Sequence, residues 1–484
     1  MHNYKKGTVV PARSVEEFSA STLVQEVSKI TEDKEKFSNE EHNLESLQQD
    51  TQKEALPEFS STKKVLIIFI IAFAGLLGPI STNIFVPALS SMQEDLMVQD
   101  VTINLTITVY MVFLAITPLI WGTLSDQIGR RLIYLVSLTI YIIGGIGCAL
   151  SINIVMLIVM RAIQAIGASA VLSVGAGTIS DVFPPAERGT AFGFYFIGPL
   201  LGPIIGPVIG GFMSATIGWR HIFYLIAGLG GASLLSIIFF LPETMSKVRL
   251  KRQAKTQNPT VSSQTSHINF LQPLLLLRYP SVMIVLAYGC MIFASIYCYT
   301  TSLPSLFSPK YHLNQSAVGL VFLSSGIGNI VGSSIGGRVA DFSLRSLRAK
   351  YGTLPVPSEA RFRAVWLGTV LLPAMLLCYG WFVQYELPLP ATLVSMFFLG
   401  FSMTYIFSSI STYLVDIFPG LGASVTALNN CMRYLAAAVA SAIVSPLMKV
   451  MGPGWLFTGL AILTSIFGVL LFVVYKYGHK WRPQ

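Results

Sequence analysis

The chain has 484 residues, 53% of them hydrophobic and only 11% charged. A soluble domain carries about 25% charged residues, so this chain cannot dress a water-facing surface. A soluble enzyme, a nucleic-acid-binding module and a disordered scaffold are thereby excluded, and a polytopic membrane protein remains. The net charge of +9 is an average over two unlike parts. Residues 1–62 carry 7 basic and 12 acidic side chains, and residues 63–484 carry 25 and 11.

Residues 1–62 are rich in Glu, Lys, Ser, Gln and Asn, with no apolar period. They are expected to form a disordered cytoplasmic tail without a cleaved signal peptide. Helical spans begin after Lys63-Lys64. An apolar stretch of about 20 residues crosses a bilayer as a helix. Twelve such stretches lie at 65–89, 103–124, 132–150, 154–179, 190–213, 221–241, 281–303, 317–337, 364–384, 390–414, 421–446 and 455–475. With the N-terminus inside, the outer loops hold only Arg220, Lys310 and Lys449, whereas the inner flanks from Lys63 onward hold 20 basic residues. This split obeys the positive-inside rule and puts both termini in the cytoplasm. The expected division is an N-terminal six-helix bundle (63–241), a cytoplasmic linker (242–280), a C-terminal six-helix bundle (281–477) and a short cytoplasmic tail (478–484).

The loop after the second span reads Gly122-Thr-Leu-Ser-Asp126-Gln-Ile-Gly129-Arg130-Arg131. Gly122 permits a close helix approach and Gly129 a tight turn. Asp126 can pair with an arginine or a helix N-terminus. The corresponding place after the eighth span carries Gly337-Arg-Val-Ala-Asp341, an echo of the first loop. The fifth span reads Gly198-Pro199-x2-Gly202-Pro203-x2-Gly206-Pro207-x2-Gly210-Gly211. Glycines four apart drift only about 40° per step and make one stripe. Another helix can pack closely there, and the prolines suit a hinge or gate seal. A plain packing seam explains the same stripe.

The first loop resembles the signature loop of the major facilitator superfamily, in which it is a latch for the outward-facing state. The glycine-proline stripe resembles the antiporter motif of that family's exporters. Gly78-Pro79 through Leu89 resembles the first-helix motif of the twelve-span drug:proton antiporters. Tyr413 through Pro419, with Asn429-Asn430-x2-Arg433, is similar to their fungal branch of quinidine-resistance-type and organic-acid exporters. Leu157-x3-Arg161-x2-Gln164-x2-Gly167 resembles the fourth-helix motif tied to proton coupling, except that Ala165 stands where glycine is usual. The resemblance covers roughly 64–477. It implies an all-α membrane protein with twelve transmembrane helices in two six-helix bundles, the major facilitator fold.

Every acidic residue outside the tail maps to a loop or a span end, and only Arg161 and Arg433 lie deep in spans. Ionisable groups at such depth are costly and commonly functional. Gln164 lies three residues from Arg161, and Asn430 and Asn429 lie three and four from Arg433, so each arginine shares its helix face with amides. Two guanidinium groups on a shared cavity suit a carboxylate in fork geometry. Each arginine can instead satisfy backbone carbonyls or pack on an aromatic ring. Tyr405 is a further candidate for the cavity wall.

The function expected is alternating-access export of a small organic anion, a di- or tricarboxylate such as citrate, by a plasma-membrane protein acting as a monomer. Proton coupling, implied by the family, has no deep carboxylate to carry it. Multidrug:proton antiport is the alternative, and a non-transporting receptor a lesser one. No catalytic constellation, cofactor site or metal site is expected, and no nucleic-acid partner. The five cysteines all fall in apolar runs and read as packing residues.

Overall fold

A computed structural model describes residues 59–183, 185–245, 272–351, 362–363, 365–417 and 422–478. The expectations placed on most of the N-terminal tail, on linker residues 246–271 and on the C-terminal residues 479–484 lie outside these.

Eleven helices among the described residues are long and apolar enough to cross a membrane. Span 1 is Ser61–Asn83, followed by a 3-10 turn at Val86–Ala88 and a short helix, Leu89–Leu96. Spans 2 to 6 are Asp100–Ile128, Arg130–Ala149, Ile154–Val182, Pro185–Thr216 and Arg220–Phe240. Spans 7 to 10 are Pro280–Tyr311, Gln315–Tyr351, Trp366–Gln384 and Leu389–Asp416. The last helix, Gly422–Tyr477, has 56 residues, or about 84 Å at 1.5 Å per residue, far more than one bilayer. It breaks at Gly452, where φ is 73° and ψ 166°, into spans 11 and 12. Each of the twelve stretches expected from hydropathy therefore falls on a helical span among the described residues.

Helices alone suit this sequence because a lipid-exposed backbone must satisfy its hydrogen bonds internally. Pro79, Pro118, Pro373 and the three prolines of span 5 each remove a donor inside a helix, which membrane helices tolerate where neighbouring helices or hydroxyl side chains satisfy the freed carbonyl. The ends are set locally. Asn153 accepts a hydrogen bond from the Met156 amide at 2.9 Å and starts span 4. Gly129, at φ 106°, makes the sharp turn between spans 2 and 3.

Within the first six spans, span 1 packs on span 5, span 4 on spans 2 and 3, and span 3 on span 6. In the second six, span 8 packs on span 10, and spans 7 and 9 on the long last helix. The sets meet along two seams, span 2 with span 11 and span 5 with span 8. Asn104 Nδ2 donates to Ser445 Oγ at 2.7 Å, Thr108 and Ser441 share a hydroxyl bond of 2.9 Å, and Lys449 pairs with Asp100 at 3.2 Å. On the other seam the Ser316 hydroxyl reaches the Gly211 carbonyl at 3.5 Å. These contacts occupy the first turns of spans 2 and 8 and the last turns of spans 5 and 11. The molecule is thus closed at the end opposite the Gly122–Arg131 loop, some 33 Å from Asp126 by helix rise.

Candidate functional site

Arg161 and Arg433 are built into matching cages. Arg161 is fully buried. Its guanidinium carbon lies 4.0 Å from the Tyr110 ring centroid and 4.3 Å from that of Phe85, with Phe223 at 5.9 Å. One terminal nitrogen donates to the Ser81 carbonyl at 3.0 Å and to Gln164 Oε1 at 2.8 Å. Its Nε and second terminal nitrogen, and the Gln164 amide nitrogen, are buried without a partner. Arg433 is 6% exposed. Its guanidinium lies 4.1 Å from both the Phe293 and Phe407 centroids, and one terminal nitrogen donates to Asn430 Oδ1 at 2.7 Å. Its Nε is buried and unpartnered, as is Asn429 Oδ1.

Each cage draws on several spans: 1, 2, 4 and 6 around Arg161, and 7, 10 and 11 around Arg433. A cation held between two ring faces gains about 2 kcal/mol or more when desolvated. That offsets part of the cost of burying it. No carboxylate pairs with either arginine among the described residues. Both charges are therefore uncompensated, and the free N–H groups are oriented donors. The aromatic packing and the carbonyl contact left open by the sequence are both present, and they leave donors to spare.

Tyr405 is not brought to this site. It stacks on Phe401 at 5.5 Å, and its ring lies where a side chain on Gly368 of span 9 would meet it at 3.1 Å. Phe407, which does cage Arg433, lies two residues and about 200° around span 10, on nearly the opposite face.

The Gly122–Arg131 loop forms a second polar centre. Arg130 pairs with Asp126 at 2.6 Å and with Asp181 of span 4 at 3.0 Å, and it also donates to the Ser125 hydroxyl. Glu243, just beyond span 6, accepts from the Arg130 backbone amide at 2.9 Å and so caps span 3. Gly129 holds a φ of 106°, which only glycine adopts without strain, and a side chain there would also press on that carboxylate at 2.5 Å. Arg131 reaches the Ile238 carbonyl at 2.6 Å. Sequence spacing pointed to Asp126, Gly129, Arg130 and Arg131 but missed Glu243, a lone acid after an apolar run. A side chain on Gly122 would touch only Ser173, at 3.7 Å.

The glycine stripe of span 5 faces span 1. An added Cβ would lie 1.9 Å from the Ala72 carbonyl at Gly198, 2.6 Å from the Ile80 amide at Gly202, 3.3 Å from Ile80 at Gly206 and 1.5 Å from the Ile84 carbonyl at Gly210. Pro199, Pro203 and Pro207 sit within one unbroken helix. The neighbouring face carries the seam to span 8, where Gly211 lies against Gly319.

Comparison with known proteins places the chain in a family. The family model "Major Facilitator Superfamily" matches residues 71–441. "Citrate exporter 1" of Aspergillus niger is 32% identical, over 93% of this chain and 92% of its own length. "MFS antiporter QDR3" of Candida albicans is 27% identical, over 89% and 81%. "Dityrosine transporter 1" of Saccharomyces cerevisiae is 31% identical, over 86% and 81%. Among solved structures, a D-xylose-proton symporter superposes with a TM-score of 0.67, at 16% identity, over 87% of this chain and 98% of that one. The chain belongs to the major facilitator superfamily. It is an integral membrane transporter of small molecules, not an enzyme, with that family's fold of twelve helices in two six-helix bundles.

Proposed function

We propose that the protein exports a small organic anion, a di- or tricarboxylate such as citrate, from the cytoplasm by alternating access. The observation that carries this reading is the pair of buried guanidinium groups, both with unpartnered N–H donors and neither with a carboxylate. Two uncompensated positive charges at low dielectric attract an anion and repel a cation. Removing a buried cation's only counter-charge costs several kcal/mol, so a site of this sign strongly favours an arriving carboxylate. The similarity to a protein named as a citrate exporter supports the same reading.

In this proposal residues 63–241 and 281–477 move as two bundles joined by the 242–280 linker. The N-terminus lies in the cytoplasm of a plasma-membrane monomer, so the closed end faces outward. Arg433, the more accessible of the two arginines, takes the substrate first, with Asn429 and Asn430 beside it. Arg161 and Gln164 complete the site as the bundles rock. The cluster of Asp126, Arg130, Asp181 and Glu243 serves as the latch at the cytoplasmic end. Protons are carried by the substrate's own carboxyl groups or by that cluster.

Multidrug:proton antiport is the competing reading. The aromatic cages and the similarity to a protein named as a multidrug transporter of Candida glabrata favour it. Efflux of labelled citrate and of a cationic drug from cells with and without the protein separates the two. Export of the anion, lost in Arg433→Ala and Arg161→Ala, supports the proposal. Cation export with citrate retained in the cell overturns it.

A further inference from the structure

One helical turn from the Arg433 cage, toward the Gly122–Arg131 end, three spans each contribute a further position. Gly289 lies four residues before Phe293 on span 7, Ser411 four residues after Phe407 on span 10, and Asn429 four residues before Arg433 on span 11. Four residues advance a helix by about 6 Å and turn it only about 40° from the same face. We propose, building on the exporter reading, that the space bordered by Gly289, Ser411 and Asn429 receives a hydroxyl group of the transported anion. The protein thereby selects 2-hydroxycarboxylates over the same carboxylates without the hydroxyl.

These positions leave both room and polar atoms unused. Gly289 is buried, yet a methyl carbon built on it would meet nothing nearer than Asn429 Oδ1, at 3.8 Å. The glycine therefore opens a space, and the amide oxygen borders it. Asn429 is 3% exposed, and its Oδ1 has no hydrogen-bond partner. The buried Ser411 hydroxyl has none either. Arg433 does not use the Asn429 oxygen, since its terminal nitrogen donates to Asn430 Oδ1 at 2.7 Å. Its Nε is left as a free donor. Residues four apart hold their Cβ atoms about 5–6 Å from each other. One face of span 11 thus offers a free cationic donor and, a turn away, a free acceptor.

An acceptor requires a donor, and the surroundings limit its kind. A carboxylate oxygen has no proton to give, and beside a guanidinium a carboxyl group stays ionised. An ammonium group donates, but two uncompensated arginines repel it. A neutral hydroxyl remains. A 2-hydroxycarboxylate carries it on the carbon next to the carboxylate, so one substrate meets the Arg433 nitrogen and the Asn429 oxygen together. The Ser411 hydroxyl can donate to the same group or accept from it. A substrate without the hydroxyl leaves the amide oxygen buried and unpaired, which is costly. Sites built around a substrate hydroxyl reject the analogue lacking it for this reason.

The test titrates the purified full chain with citrate or with propane-1,2,3-tricarboxylate, which is citrate without its hydroxyl, at a pH where every carboxylate is ionised. Binding is read from the stabilisation of the protein against heat. Citrate is expected to bind at least about tenfold more tightly than the analogue. Asn429→Leu removes the acceptor at nearly constant volume and is expected to bring the ratio of the two affinities close to one. Gly289→Ala fills the space at an ordinary contact distance, 3.8 Å from Asn429 Oδ1, and is expected to weaken citrate more than its analogue. The ratio is taken within one protein sample, so a general loss of stability does not move it. Equal affinities in the wild type, or an unchanged ratio in either variant, would overturn the proposal and leave the anion reading standing. Binding of neither compound would overturn both.

Discussion

The seam between spans 1 and 5 gives a graded test of the packing. Gly210→Ala puts a methyl carbon 1.5 Å from the Ile84 carbonyl oxygen, whereas Gly206→Ala puts one 3.3 Å from Ile80. A carbon–oxygen contact settles near 3.4 Å, so at Gly210 the two backbones must part by roughly 2 Å, whereas at Gly206 a carbon–carbon contact of about 3.5–4.0 Å asks the Ile80 side chain to give by only a few tenths of an ångström. Overpacking of that severity costs about 1–3 kcal/mol. Alanine at Gly206 costs close to nothing, because it also favours helix by up to about 1 kcal/mol over glycine. The assay is thermal unfolding of the purified protein in detergent, followed by intrinsic fluorescence. Gly210→Ala is expected to lower the midpoint by several degrees, at roughly 2–4 °C per kcal/mol. Gly206→Ala is expected to leave it unchanged or raise it slightly. Equal midpoints for the two variants would refute the claim that the stripe is a backbone contact with span 1.

The seam between spans 2 and 11 must part during transport if access alternates. Thr108→Cys with Ser441→Cys, in a background lacking the five native cysteines, replaces a 2.9 Å hydroxyl pair. The two thiols should cross-link under mild oxidation and stop transport until reduced. Unimpaired transport by the cross-linked protein would exclude opening at that end. Gly129→Ala combines a φ of 106° with a 2.5 Å clash against Glu243 and is expected to cost at least about 1–3 kcal/mol, read as lost folded yield. Glu243→Gln keeps the bond from the Arg130 amide but loses its charge, and is expected to destabilise by under about 1 kcal/mol. Asn314-Gln-Ser316 is a glycosylation sequon with an exposed asparagine, so a tag there should be reachable from outside the cell. A tag reachable only from the cytoplasm would reverse the proposed orientation.

The spans were legible because a bilayer imposes one simple rule, about twenty apolar residues per crossing. The break at Gly452 also agrees with separate stretches ending at 446 and resuming at 455. The importance of Arg161 and Arg433 was legible for the opposite reason: a charge deep in an apolar run is costly wherever it points. Their surroundings were not. Phe85 and Tyr110 lie 76 and 51 residues from Arg161 in sequence, and nothing in an apolar helix marks which ring turns toward which neighbour. Tyr405 illustrates the difficulty, since a displacement of two residues to Phe407 exchanges one side of span 10 for the other. The glycine stripe announced close packing, but glycine carries no trace of its partner. Hence the seam with span 1 and the neighbouring seam with span 8 could not be told apart.

The central claim concerns the sign of the transported charge, and transport by the purified protein tests it most directly. Proteoliposomes loaded with unlabelled citrate, or with a cationic drug, would be assayed for counterflow of the same compound in labelled form. The account predicts citrate counterflow in the wild type, reduced at least about tenfold in Arg433→Gln, since losing one charged hydrogen bond of about 1.5–3 kcal/mol exceeds the 1.4 kcal/mol of a decade. Counterflow of the cation but not of citrate, undiminished in Arg433→Gln, would contradict it.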